Sequence, residues 1–182
     1  GVFERLVLES FQSGLSWSTI LKKREAFRTA FASFIPEAVA AFTDQDRERL
    51  MQDASIVRNK RKIDAAITNA QAVIALRSAL AAESDAHRAG RMDEAPLAQL
   101  LRPRQSYPRH LGELVWLYQP SQQPRPRCAQ EVPAQTEESR SLSAQLKRRG
   151  FVFVGPVTAL ALMSAIGIVN TDILGTWKRP SI

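Results

Sequence analysis

Cysteine is nearly missing from this sequence. Cys128 is the only one in 182 residues, so no disulfide can close within the chain and a zinc site built from several thiolates is excluded. A reducing cytoplasm fits that count. No run of about eighteen apolar residues occurs, so no membrane span is expected, and no signal peptide is visible. Strand-like alternation is also scarce. In its place stand Ala, Leu, Arg, Glu and Gln, all of which favour helices. Gly1 stands where an initiator Met would, and what lies upstream of it is left open.

Acidic residues are outnumbered. Lys and Arg total 25 against 18 Asp and Glu, a formal charge of +7. Such an excess suggests a polyanionic partner, because cations that neutralise phosphates release bound counterions. A basic protein indifferent to nucleic acid is the alternative that charge alone leaves open. Hydrophobic residues make up 45% and charged residues 24%, enough for a sizeable core in one or two small domains.

Read for periodicity, the chain is all-α. Phe3, Leu6, Val7 and Phe11 predict a helix over 2–12, which Gly14 stops. A second helix is expected from Ser16 to Phe34, and Pro36 opens a short one through Phe42. Thr43 and Asp46 form a capping-box pattern before a helix to Met51. The clearest helix covers 59–82, with Ile63, Ile67, Ala70, Ile74 and Ala81 near one face. Residues 83–110 carry Gly90, Pro96, Pro103 and Pro108 and predict short helices and turns. Residues 119–136 read as an exposed Pro-rich loop, a spacer rather than a partner ligand. A helix resumes at Glu137–Arg149, a turn follows at Gly150–Gly155, and Pro156 starts a last helix to Ile166, ended by Gly167.

Three groups of residues carry chemistry. Glu9 and Trp17 lie eight apart across Gly14, so a turn there can bring a carboxylate and an indole to one pocket. An indole stacks on a ring and a carboxylate accepts from an exocyclic amine, which suits a cationic purine. A solvated Glu9 and a core Trp17 are the alternative. The second group is Leu146 to Pro156, a helix, a tight turn and a helix N-terminus. Its unpaired N–H groups, open Gly155 backbone and adjacent Lys147, Arg148 and Arg149 suit a DNA-backbone clamp that reads no sequence. An ordinary helical hairpin is the alternative. The third is Arg58 to Lys62, either a phosphate contact or a solvated charged face.

Several segments resemble the 3-methyladenine DNA glycosylase I family, in its order and spacing and over nearly the whole chain. They are Leu8-Glu9 with Gly14-Leu15-Ser16-Trp17, Leu21 to Glu25, Gln52-Asp53-Ala54 with Ile56-Val57-Arg58 and Lys62-Ile63, Asn69-Ala70, Leu146 to Phe151 with Phe153-Val154-Gly155, and Val169-Asn170. The resemblance implies an all-α helix-hairpin-helix glycosylase fold, a helical bundle of two lobes forming a single domain over 1–182 with the hairpin at 146–166. It implies excision of 3-methyladenine from alkylated DNA in base excision repair. It assigns base recognition to Glu9, stacking to Trp17, and DNA binding to the hairpin, where Lys147, Arg148, Gly150, Phe153 and Gly155 are the candidates.

The sequence departs from the family at its zinc site. Two ligands belong to a segment ahead of Gly1, and the positions matching the other two hold Asp172 and Thr176. Thr cannot replace a thiolate, and His87 and His110 lie elsewhere, so no structural zinc and no other cofactor are expected. Asp172 is expected to help tie the termini together through a hydrogen bond or salt bridge. It is also the only carboxylate soon after the second hairpin helix, where related superfamilies keep a catalytic Asp. The expected partners are alkylated double-stranded DNA and free 3-methyladenine as product, with no membrane, for a monomer in the bacterial cytoplasm associated with the nucleoid. A DNA-binding descendant that has lost excision, or a helical interaction protein, are the rival readings.

Overall fold

The computed structural model describes residues 1–175, and among them every regular element is helical. The first helix, α1 (Val2–Gln12), is buried on nearly all sides, including Glu4, Glu9 and Ser10. Such a helix belongs at the centre of a fold. It lies between α6 (Lys60–Arg88) on one side and α9 (Pro156–Ala165) on the other. The apolar faces of all these helices join one hydrophobic core.

The helix expected over Ser16–Phe34 is broken twice. It becomes α2 (Trp17–Lys22), α3 (Arg24–Ala30) and a 3-10 turn at Ala32–Phe34. Two tertiary demands override the local preference. Lys23 Nζ donates to the carbonyls of Ala54 and Ser55 at 3.1 and 2.8 Å. Ala32, Ser33 and Phe34 take left-handed φ values of 48°, 54° and 56°. That kink lets Phe34 stack on Phe31 at 5.6 Å, beside Phe27 and Phe11 at 4.8 Å from each other. Helix α4 follows (Pro36–Ala40), then α5 (Asp44–Gln52), whose Thr43–Asp46 capping box is formed as expected.

Helix α6 begins with Asn59 accepting from the Lys62 amide and runs six residues beyond the expected end, to Arg88. Its buried face is Ile63, Ile67, Ala70, Val73, Leu76 and Leu80. Ile74, 38% exposed, and Ala81 were expected on that face and are not. A step of three from Ala70 to Val73 keeps the stripe on the core, where the step of four to Ile74 turns it out. By length and composition α6 could cross a membrane. Here it packs against α1, α4 and α5 as a core helix.

Helix α7 (Leu111–Trp116) has no counterpart in the periodicity of the sequence. It spans six residues, too few for periodicity to show, and starts where His110 Nδ1 accepts from the Glu113 amide. The 119–136 loop is anchored rather than free. Pro120 and Pro126 are buried, and Gln123 bonds to the Ile168 carbonyl and the Asn170 amide at 3.0 and 2.8 Å. Helix α8 (Glu137–Arg148) then packs on α9 to form the hairpin.

Candidate functional site

Helix α1 ends where Ser13 and Gly14 turn the chain, with Gly14 at φ 81°. A side chain rarely adopts that conformation, which is why glycine stands there. Gln12 secures the turn through the Leu15 backbone, and Ser16 caps α2 by accepting from the Thr19 amide. Trp17 therefore enters at the first residue of α2. It folds back so that Glu9 and Trp17 line the same cleft of about 610 Å³. Asp172 stands in the wall as well, with Val157 of α9 and Pro133 of the anchored loop. The loop read as a spacer thus supplies part of the wall.

Glu9 is 2% exposed, and its Oε2 has no hydrogen-bond partner. Burial pushes its carboxyl up to about 7, against the pull of the Arg5 charge one turn earlier. An unanswered buried acceptor is costly in a finished core. A cationic hydrogen-bond donor entering the cleft would relieve that cost, and the half-buried indole of Trp17 stands beside it. A larger recess of about 710 Å³ lies elsewhere, near Tyr107 and Trp116. Its carboxylate, Glu113, is already engaged by Arg109. Chemistry, not size, singles out the Glu9 cleft.

Lys62 is a correction to the third basic cluster. Its Nζ is turned inward and donates to the carbonyls of Phe11 and Ser13 at 2.8 and 2.6 Å, holding the end of α1. Burial lowers the pKa of this ammonium. Arg58, Lys60 and Arg61 remain exposed.

The hairpin is held by side chains from three helices. Asn69 on α6, fully buried, donates from Nδ2 to the Val152 carbonyl at 3.0 Å and accepts at Oδ1 from the Val152 amide at 2.8 Å. Ser143 on α8 donates to the Val154 carbonyl, and Ser10 on α1 lies 3.4 Å from that of Phe153. Gly150 turns at φ 84° and Phe153 at 56°, the latter strained for a side chain and 44% exposed. Gly155 has an ordinary φ of −64°. A Cβ there would meet nothing within 4 Å, so the approach to the N-terminus of α9 is open to an anion.

The basic residues of the hairpin divide. Arg149 is not free for a phosphate, because Glu83 engages it at 2.9 Å while also accepting from Tyr107. Lys147 and Arg148 are exposed, but Arg148 lines a separate recess beside Tyr118. Of the expected site residues, Glu9, Trp17 and Asp172 share one cleft, and Gly150, Phe153 and Gly155 share the hairpin that adjoins it through Val157. Thr176 lies outside the described residues. Arg5, Lys62 and Asn69 were not singled out for these positions. The spacing of Arg5 four residues before Glu9 was a signal for it, and Lys62 and Asn69 stood within the family-resembling segments.

Among the described residues, the donors suited to zinc do not converge. No three His, Cys, Asp or Glu side chains come together among the described residues. His87 packs against Tyr107, His110 caps α7, and Cys128 is exposed.

Comparison with known proteins gives consistent results. The profile of the methyladenine glycosylase family matches residues 1–108 and 97–179. DNA-3-methyladenine glycosylase 1 of Escherichia coli (strain K12) is 37% identical over 98% of this chain and 82% of its own. DNA-3-methyladenine glycosylase of Haemophilus influenzae is 32% identical over 94% of this chain and 79% of its own. A solved tyrosine-to-phenylalanine variant of 3-methyladenine DNA glycosylase I, in complex with 3-methyladenine, superposes with a TM-score of 0.76. It is 29% identical and covers 99% of this chain and 83% of that one.

Proposed function

The chain belongs to the methyladenine glycosylase family, and from that premise we propose that the Glu9–Trp17 cleft is where it holds the damaged base. It is a DNA-3-methyladenine glycosylase, a hydrolase that excises alkylated adenine from DNA by cleaving the N-glycosidic bond. A base inside a duplex is out of reach, so the nucleotide must be flipped out, at a cost of a few kcal/mol. Alkylated sites stack and pair less well, which lowers that cost.

N3-methylation makes adenine a cation and weakens its bond to the sugar. The base leaves neutral, taking the bonding electron pair. The oxocarbenium-like sugar left behind is captured by water, which gives its proton to solvent. Little acid catalysis is needed for such a leaving group. Glu9 therefore acts by recognition: as a carboxylate it accepts from the exocyclic amine and counters the charge of the ring. Trp17 supplies the stacking face. Asp172, in the same wall, adds negative potential where the sugar develops positive charge. The hairpin holds the backbone through the amides after Gly155, with Gly150 and Phe153 shaping the turn and Lys147 and Arg148 adding charge nearby.

The observation that carries this reading is the buried, unanswered Glu9 carboxylate facing a cleft it shares with an indole. The same reading has no zinc, since Asp172 and Thr176 stand at the ligand positions. It describes a monomer in the bacterial cytoplasm acting on alkylated double-stranded DNA of the nucleoid, with 3-methyladenine as product. The sources of the relatives and the lone exposed Cys128 support that setting. Methylated DNA incubated with wild-type protein should release 3-methyladenine, identified by mass, and Glu9→Gln and Trp17→Ala should release far less. Wild-type release by both variants would remove the cleft from the reaction.

A further inference from the structure

Arg5 is the one cation lining the Glu9 cleft among the described residues. It makes no side-chain hydrogen bond or ion pair there, although most arginines of this chain do. It lies four residues before Glu9 on α1, one turn away, and so shares the face of Glu9. That spacing is one at which a helical ion pair commonly forms, and none forms here. An unpaired guanidinium in a pocket for a cationic base is a paradox, because it repels the base that Glu9 attracts. The paradox resolves if Arg5 meets the anionic part of the substrate.

We propose that Arg5 binds a phosphodiester flanking the flipped nucleotide, at the mouth of the cleft whose floor is Glu9. This rests on the assignment of that cleft to the base. A nucleotide is base, sugar and phosphate in line, so a cleft that takes the base must meet a phosphate at its rim. Arg5 is half-buried where Glu9 is fully buried, which places it nearer that rim. Four residues along a helix advance about 6 Å, comparable to the reach from a base across its sugar. Val157, in the first turn of α9, lines the same cleft, so the phosphate path from the hairpin leads past this mouth. The planar fork of a guanidinium suits a phosphate.

The test separates the two ends of the substrate. One arm measures binding of wild type, Arg5→Gln and Arg5→Lys to a duplex holding a tetrahydrofuran abasic site, from low to moderate KCl. The other measures binding of free 3-methyladenine by tryptophan fluorescence. Arg5→Gln should weaken duplex binding several-fold and lower the slope of log Kd against log salt by about 0.9, the value for one phosphate contact. Arg5→Lys should keep most of the slope. Free 3-methyladenine should bind Arg5→Gln as tightly as wild type or more tightly. A neutral methylphosphonate at one linkage flanking the abasic site should weaken wild type and leave Arg5→Gln indifferent. An unchanged salt slope, or equal weakening toward free base and duplex, overturns the proposal. If the cleft assignment were itself wrong, Glu9→Gln would bind free 3-methyladenine normally, a result that Arg5 substitutions cannot mimic.

Discussion

Glu4 and Glu9 sit five residues apart on α1 and are both almost inaccessible to water, yet the fold answers them in opposite ways. Glu4 receives Arg24 Nε at 2.8 Å and Arg28 Nε at 3.2 Å. Burial alone would raise its pKa, but the Arg24 hydrogen bond and the two guanidinium charges outweigh burial and hold it below the ordinary value. Glu9 has a buried oxygen with no partner and only the Coulombic pull of Arg5, so burial wins and its carboxyl rises to about 7. The fold pairs one buried carboxylate and leaves its neighbour open, an asymmetry that the proposed base-binding role of Glu9 accounts for. On the proposed reading, one end of α1 serves stability and the other serves binding.

The largest expected effect comes from abolishing the unpaired acid. A hydrogen bond to a buried charged group contributes roughly 1.5–3 kcal/mol, so Glu9→Gln should cut excision by roughly 10- to 150-fold while leaving the melting temperature equal or higher. The pH dependence of stability should change with it. Folded Glu9 keeps its proton up to about 7, whereas the unfolded chain loses it near 4.5. Native protein therefore loses stability as pH rises through that window, and Glu9→Gln should lack this decline in urea melts. A decline that persists in the variant would show that other groups cause it.

Glu4→Gln should behave inversely. Its arginine partners are 36% and 42% exposed and can turn to water. The cost should therefore be about 2 kcal/mol, below that of breaking a fully buried pair. Excision per folded molecule should be unchanged. Because the pKa of Glu4 is lowered, its contribution is present above the unfolded value and lost as pH falls through the folded one. The variant should lose less stability on acidification than wild type. If Glu4→Gln impaired excision as strongly as Glu9→Gln, the contrast between the two ends would fail.

Two smaller effects sharpen the picture. Asn69→Ala removes both hydrogen bonds to Val152 and should cost about 1–2 kcal/mol. It should weaken binding to a duplex more than binding to free 3-methyladenine, since the hairpin and not the cleft is loosened. Equal weakening of both would place Asn69 in the base site instead. Lys62→Met frees the end of α1 and should cost about 1 kcal/mol, with a rise in KM for methylated DNA that outlasts any loss of folded protein. A purely thermal effect would limit Lys62 to stability.

Much of the architecture was legible because local chemistry decides it. The Thr43–Asp46 box, the Gly14 and Gly150 turns and Pro156 at a helix start each act within a few residues. The long break-up of 16–34 was not legible, since it depends on Lys23 reaching the 54–55 carbonyls and on Phe34 stacking against Phe31. Lys62 read as part of a phosphate contact or a solvated charged face because nothing local says that its ammonium turns inward. Arg149 read as one of three charges beside the hairpin because Glu83, which engages it, lies 66 residues away along the chain. The loop at 119–136 read as a spacer because its anchors, Ile168 and Asn170, come much later.

By itself, the order of residues determined the helical class, the caps and turns, the excess of positive charge, and the spacing of an acid and an indole across a glycine. Only the tertiary structure decided that Glu9 loses its water without gaining a partner, and that Arg5, Asp172 and Pro133 converge on the cleft beside it. The physical reason is range. Propensity and capping act between near neighbours, whereas desolvation and charge pairing depend on which distant segments are packed alongside.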